Sequence, residues 1–273
     1  MGLNKIKTKI AMSITATSYL FLSYLQSKPL PVFKVNNDYR TIEEQARDKY
    51  RHPQETLTFF KIKPADTVVE IWPRNGWYTQ IIAPYLKHSG QYIAAQIPPV
   101  VNNQFTMSTQ AKFQHNFTGK VRRYGQVVIN RFNLPEYASI APTETVDLVL
   151  TFRNTHNWMS NQQHKNAFKA IYKALKPGGT FGIVEHRAKA GTPFSEMIDS
   201  GYITEDFIIH LAQSIGFDFV GSSEVNANPL DTKDHPYGVW TLPPTLGLGE
   251  TNKDHYLAIG ESDRMTLMFI KPK

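Results

Sequence analysis

The stretch Thr67-Val68-Val69-Glu70-Ile71-Trp72-Pro73-Arg74-Asn75-Gly76-Trp77-Tyr78-Thr79 decides the fold. A β-branched run closes on an acid and a Pro/Asn/Gly break follows. Beyond it Ile81, Ile82, Tyr85 and Leu86 recur at helical spacing. The pattern reads as a buried strand, a tight turn and a helix. In an open α/β sheet such a turn lies at the carboxyl ends of the strands, where ligands bind. The free N–H groups of the helix N-terminus face the same region.

Strand and helix patterns alternate on either side of this unit. Upstream, Thr41-Ile42-Glu43-Glu44 opens a capped helix that should run to about Tyr50, and a second helix is expected over 53–60. The salt-bridging pair Arg47-Asp48 reads as a solvated helix face. Downstream, strands are expected over 90–96, 120–129, 146–152, 180–184 and 217–224, with Arg264–Ile270 alternating as the last. One helix is expected around 107–115. Another follows Ser160 as its cap, with Ala167, Phe168, Ile171, Ala174 and Leu175 inward, and Lys176-Pro177-Gly178-Gly179 stops it. Thr204-Glu205-Asp206 starts a third, ended by Gly216. Alternation of this kind predicts a mainly parallel sheet with helices on both faces.

The turn after Glu70 resembles the first motif of class I S-adenosylmethionine-dependent methyltransferases, acid-x-Gly-x-Gly-x-Gly. Glu70 takes the place of the acid, and Trp72, Arg74 and Gly76 take the places of the three glycines. A subfamily of exported methyltransferases, with Glu-Ile-x-Pro-Gly-Gly-Gly-Trp-Tyr-Thr, is more similar still; Arg74 and Asn75 replace two of its glycines. The resemblance extends over about residues 41–273. It implies a Rossmann-like fold of seven strands with an antiparallel last strand. It also implies S-adenosylmethionine as cofactor, with Glu70, Trp72, Arg74, Gly76, Trp77, Tyr78 and Gln96 on the cofactor side. Gln96 stands where the family has the acid that binds the ribose hydroxyls; an amide still hydrogen-bonds a hydroxyl, without the charge.

Arg153-Asn154-Thr155-His156-Asn157-Trp158 follows a core strand directly and is similar to the same subfamily. Polar side chains in that position are where this fold does substrate chemistry. Glu185-His186 ends the next strand. Arg153, Asn154, His156, Glu185 and His186 are therefore the candidate catalytic residues, with His156 or His186 as base. Trp158 reads as core. No metal-ligand spacing is diagnostic; Asp231, Asp234 and His235 read as a solvated loop. They lie in a long insertion, about residues 226–263, of the length that forms lids.

Two further functional classes stay open. One is a non-catalytic or cofactor-free binding protein on a degenerate methyltransferase fold. The other is a metal hydrolase built on His156, Glu185 and His186. A small-molecule acceptor suits the first reading. Net charge is +7, from 30 basic and 23 acidic residues; three of the lysines lie in residues 1–27, and without them it is +4. No long basic cluster remains, so nucleic acid is not an expected partner.

Lys5, Lys7 and Lys9 precede an uncharged run over 10–25 with five Ser/Thr. It is short for a spanning helix and reads as an export signal, with an uncleaved membrane anchor as the alternative. Either places the body outside the cytoplasm, periplasmic or secreted. Residues 1–27 are thus a signal or anchor, 28–40 a linker and 41–273 the domain. Absence of cysteine excludes disulfides.

Overall fold

Alternate residues of the central strand bury opposite faces, and this sets the layers. In the computed structural model, which describes residues 32–100 and 103–273, β1 is Thr67–Ile71. Val69 and Ile71 face one apolar core with Ile93, Val149, Phe181, Ile183 and Leu267. Val68 faces the other, with Tyr92, Leu148, Leu150, Phe152 and Val184. That is the two-residue period of a strand covered on both sides.

β2 is Gln91–Gln96, β3 Val127–Arg131, β4 Val146–Phe152, β5 Leu175–His186, β6 Asp218–Ser223 and β7 Arg264–Ile270. The sheet order is β3-β2-β1-β4-β5-β7-β6. β1 to β5 pair in parallel, and β7 runs antiparallel to both β5 and β6. The seven-stranded, mostly parallel sheet with an antiparallel last strand is as the sequence reading has it. The chain leaves β1 toward β2 and β3, then returns to place β4 on the other side of β1. That reversal opens a crevice over the carboxyl ends of β1 and β4.

Several local expectations change. The single helix over 41–50 is two, Ile42–Gln45 and Asp48–Arg51. Thr41 and Glu44 form the capping box of the first. Asp48 turns back to hold Arg40, at 2.6 and 2.8 Å. Residues 120–129 are not one strand. Val121–Tyr124 is a helical turn, and Gly125 at φ +67 breaks it before β3. A Cβ on Gly125 would lie 2.8 Å from Lys87 Cα, so glycine is required there. Ser160 does not open a helix; Thr155–Ser160 is itself helical, and the next helix is His164–Ala174. Thr204 and Gly216 bound the helix Glu205–Ile215 as expected, Gly216 at φ +114.

Residues 32–40 carry no helix or strand and turn at 37–40, and they are held to the body: Phe33 is buried, with its ring centroid 4.6 Å from that of Tyr85. The export-signal reading of residues 1–27 lies outside the described residues. Among the described residues no helix is long and apolar enough to cross a membrane.

The insertion is not a solvated loop. Asp231 is buried and ties it to the body, accepting from Tyr202 Oη at 3.0 and 3.1 Å, Asp263 N at 2.7 Å and Lys233 N at 2.9 Å. His235 Nε2 lies 2.8 Å from the same carboxylate. Only Asp234 is exposed as expected.

Candidate functional site

The crevice is a cleft of about 460 Å³. Its floor is the turn after β1: Glu70 to Asn75 line it, as do Trp77 and Tyr78. Trp72 and Arg74 both take left-handed backbone, φ 47 and 53, where the family's pattern has glycine. Trp72 is held by its indole N–H donating to the Phe132 carbonyl at 2.8 Å. Arg74 sends its guanidinium out of the turn, 5.8 Å from the Phe105 ring centroid. Gly76, at φ +80, does not line the cleft. Its Cα faces Phe117, whose ring would meet an added Cβ at 2.3 Å. Glycine is needed at 76 by backbone and packing.

Gln96 is 3 % exposed and also lies off the cleft wall; its Nε2 donates to the Arg74 carbonyl at 3.0 Å. The amide at the ribose position thus stabilises the turn. Glu70 sits at the floor, with Tyr92 Oη and Thr79 Oγ1 donating to Oε2 at 2.6 and 3.1 Å. Burial outweighs these bonds and pushes its carboxyl up to about 7.

β4 and β5 end side by side and bring the second set together. Glu185 is fully buried and accepts from Thr155 N at 2.7 Å, His186 N at 3.0 Å and His156 Nδ1 at 3.0 Å. It does not pair with Arg187, which turns to Asp263, Glu224 and Glu205. The carboxylate faces Nδ1, which places the tautomeric proton of His156 there and leaves Nε2 as the ring's other nitrogen. Asn157 Nδ2 approaches that atom at 3.0 Å, and His156 and Asn157 both line the cleft.

His186 lines it too, with Nδ1 2.6 Å from Ser262 Oγ. Burial first, and then His156 and the arginines nearby, hold the His186 imidazole well below its ordinary range, so it is neutral. Asn154 is buried behind the wall, both amide hydrogens donated, to the Ile71 carbonyl at 2.9 Å and Thr151 Oγ1 at 3.1 Å. It fastens β4 to β1. Trp158 is core, as expected.

His156, Glu185 and His186 offer ligand atoms within 4.8 Å of one another. The Glu185 carboxylate is already committed to two backbone N–H groups and His156, and arginines surround His186, which disfavours a dication.

The third set comes from distant parts of the chain. Arg47 and Arg51, four residues apart on one helix face, reach Glu261 with Nε at 2.6 and 3.2 Å. Arg264 Nη2 also donates to Glu261, and its Nη1 to the Tyr50 carbonyl at 3.2 Å. Burial alone would raise the Glu261 carboxyl; the arginines overcome it and hold it well below the usual range. Arg153, at φ 60, lies nearby. Burial, then Arg264, lowers its guanidinium to about 10. The insertion supplies the roof: Val239, Trp240, Pro243, Pro244 and Thr245.

Sequence reasoning missed Arg47, Arg51, Glu261, Arg264 and Trp240. The sequence alone places Arg47 on a solvated helix face. The four-residue spacing of Arg47 and Arg51 was a usable signal for a shared face; nothing local pairs them with Glu261.

No family model matches the chain, and no curated protein matches it. Solved structures do. An S-adenosylmethionine-dependent methyltransferase from Aquifex aeolicus superimposes with a TM-score of 0.54 at 13 % identity, over 83 % of this chain and 93 % of that one. The cyclase SpnF gives 0.57 at 16 %, over 87 % and 86 %. The chain has the class I methyltransferase fold, a Rossmann-like sheet shared by S-adenosylmethionine-dependent enzymes. At such identities the likeness is one of fold.

Proposed function

We propose that this chain is an exported S-adenosylmethionine-dependent methyltransferase acting on a small-molecule acceptor. The observation that carries the reading is His156. Glu185 orients its ring through Nδ1, and His156 lines the same cleft as Glu70. The cofactor, when bound, supplies an electrophilic methyl group. The residues fit it along β1, where Glu70 and the turn to Asn75 would hold its amino-acid end. Its ribose has no acidic partner, since Gln96 is tied to Arg74. His156 would take the proton from the acceptor as its nucleophilic atom attacks, and Glu185 would stabilise the imidazolium. The Trp240 and Pro243-Pro244 roof would exclude water.

Calorimetric titration with S-adenosylmethionine and S-adenosylhomocysteine tests the reading. Binding is expected in the wild type and in His156→Ala alike, with methyl transfer lost only in the variant. No binding to the wild type would remove the cofactor assignment. A second reading, a binding protein or cofactor-free enzyme, is favoured by the Gln96–Arg74 bond; SpnF, a cyclase, is a neighbour of the same fold. Export rests on the pattern of residues 1–27. Fractionation of a C-terminally tagged chain should find it outside the cytoplasm, and uncleaved soluble cytoplasmic protein would refute that.

A further inference from the structure

The cleft has more positive charge than its own acids answer. Arg47, Arg51, Arg74, Arg153 and Arg264 line it, against Glu70 and Glu261. Glu70 is only partly ionised near pH 7. Glu261 satisfies three of the arginines in part and leaves donors over. Arg47 Nη2 and Arg264 Nε are buried with no hydrogen-bond partner. Among the described residues the Arg153 guanidinium has no hydrogen bond or ion pair, although it stands on a wall of the cleft in a strained backbone conformation. Buried donors without partners are costly, and a guanidinium is the group that best matches a carboxylate or phosphate.

S-adenosylmethionine does not explain this excess. Its sulfonium and ammonium outnumber its one carboxylate, so it is itself a net cation. Three arginines on one carboxylate, with the unpaired Arg153 on the same cleft, would repel it unless an anion entered with it. We infer that Arg153, with Arg47, Arg51 and Arg264, forms a subsite for a phosphate or carboxylate group carried by the second substrate, so that the acceptor is an anion. The inference rests on the methyltransferase reading only in assigning that anion to an acceptor.

The test titrates inorganic phosphate and malonate into the full chain, alone and with S-adenosylmethionine present. Both anions should bind the wild type. Arg153→Met should weaken them about tenfold or more, the loss expected for a charge-assisted contact. Arg153→Lys should recover part of the affinity, as a point charge without the fork. Arg122→Met, which removes an equal charge from an exposed position off the cleft, should change nothing. Because Arg153 has no partner to lose, its variants should melt with the wild type, and a thermal scan verifies this. S-adenosylmethionine affinity should rise, or hold, as phosphate is added.

Three results would overturn the inference: no anion binding, equal binding by Arg153→Met, or competition between phosphate and S-adenosylmethionine, which would give the arginines to the cofactor's own carboxylate. Phosphate binding without S-adenosylmethionine binding would remove the methyltransferase reading and leave the anion site standing. S-adenosylmethionine binding without phosphate binding would do the reverse.

Discussion

At the scale of the residue, Glu70 joins stability to pH. Its Oε2, Tyr92 Oη and Thr79 Oγ1 lie 2.6, 2.7 and 3.1 Å apart in a closed triangle. Both hydroxyls donate to Oε2 and favour its ionised form, but burial outweighs them. The carboxyl is raised from 4.5 to about 7. The sign follows from linkage. The native state holds the proton more tightly than the unfolded chain, so the contribution is full below pH 4.5 and lost as pH rises through about 7. Urea unfolding at pH 5 and pH 8 should show wild-type stability falling with pH through this group by something on the order of 3 kcal/mol. Glu70→Gln should remove that slope; an unchanged slope would mean Glu70 is ionised throughout. The acid was legible in the sequence because it ends a strand before a turn. Its raised pKa was not, because the burial that causes it comes from elements packed around the strand.

The elements show why the turn at 72–76 departs from glycine where it does. Trp72 and Arg74 adopt left-handed backbone without being glycine, each held by a hydrogen bond to the turn's surroundings. Gly76 has no such freedom: φ is +80 and the Phe117 ring closes on it. Gly76→Ala should cost about 2–4 kcal/mol in urea unfolding, from overpacking and backbone strain together. Adding Phe117→Leu should return the packing part and leave about 1 kcal/mol of strain. Equal stability of Gly76→Ala and wild type would show that Phe117 yields freely. Strand and helix order was readable from local periodicity. The helical turn at Val121–Tyr124 and the helix at Thr155–Ser160 were not. The first is set by Gly125 against Lys87, and the second by a carboxylate on a neighbouring strand.

Across the whole molecule, the insertion is fixed by Asp231 rather than hanging free. Asp231→Ala leaves Tyr202 Oη and Asp263 N without their buried acceptor, a loss of about 3 kcal/mol. Limited proteolysis should then cut within residues 226–263 while the sheet stays folded. Resistance equal to wild type would show that the roof is held elsewhere. The cleft's arginines belong to this scale. Arg47 meets Glu261 across 214 positions of sequence, and no local pattern announces such a meeting. His156, just beyond a core strand, could be singled out; Arg264, the first residue of an alternating strand, could not. That same clasp has a consequence for the order of events during synthesis. Contacts so distant in sequence form late. By the time β1 to β5 have been made, every parallel strand and both members of the His156–Glu185 pair have been synthesised. Arg47 and Arg51 still lack Glu261, the carboxylate they share with Arg264. The ligand cleft is a late product of the chain, closed when residues 261–264 leave the ribosome and find a segment made more than two hundred residues before.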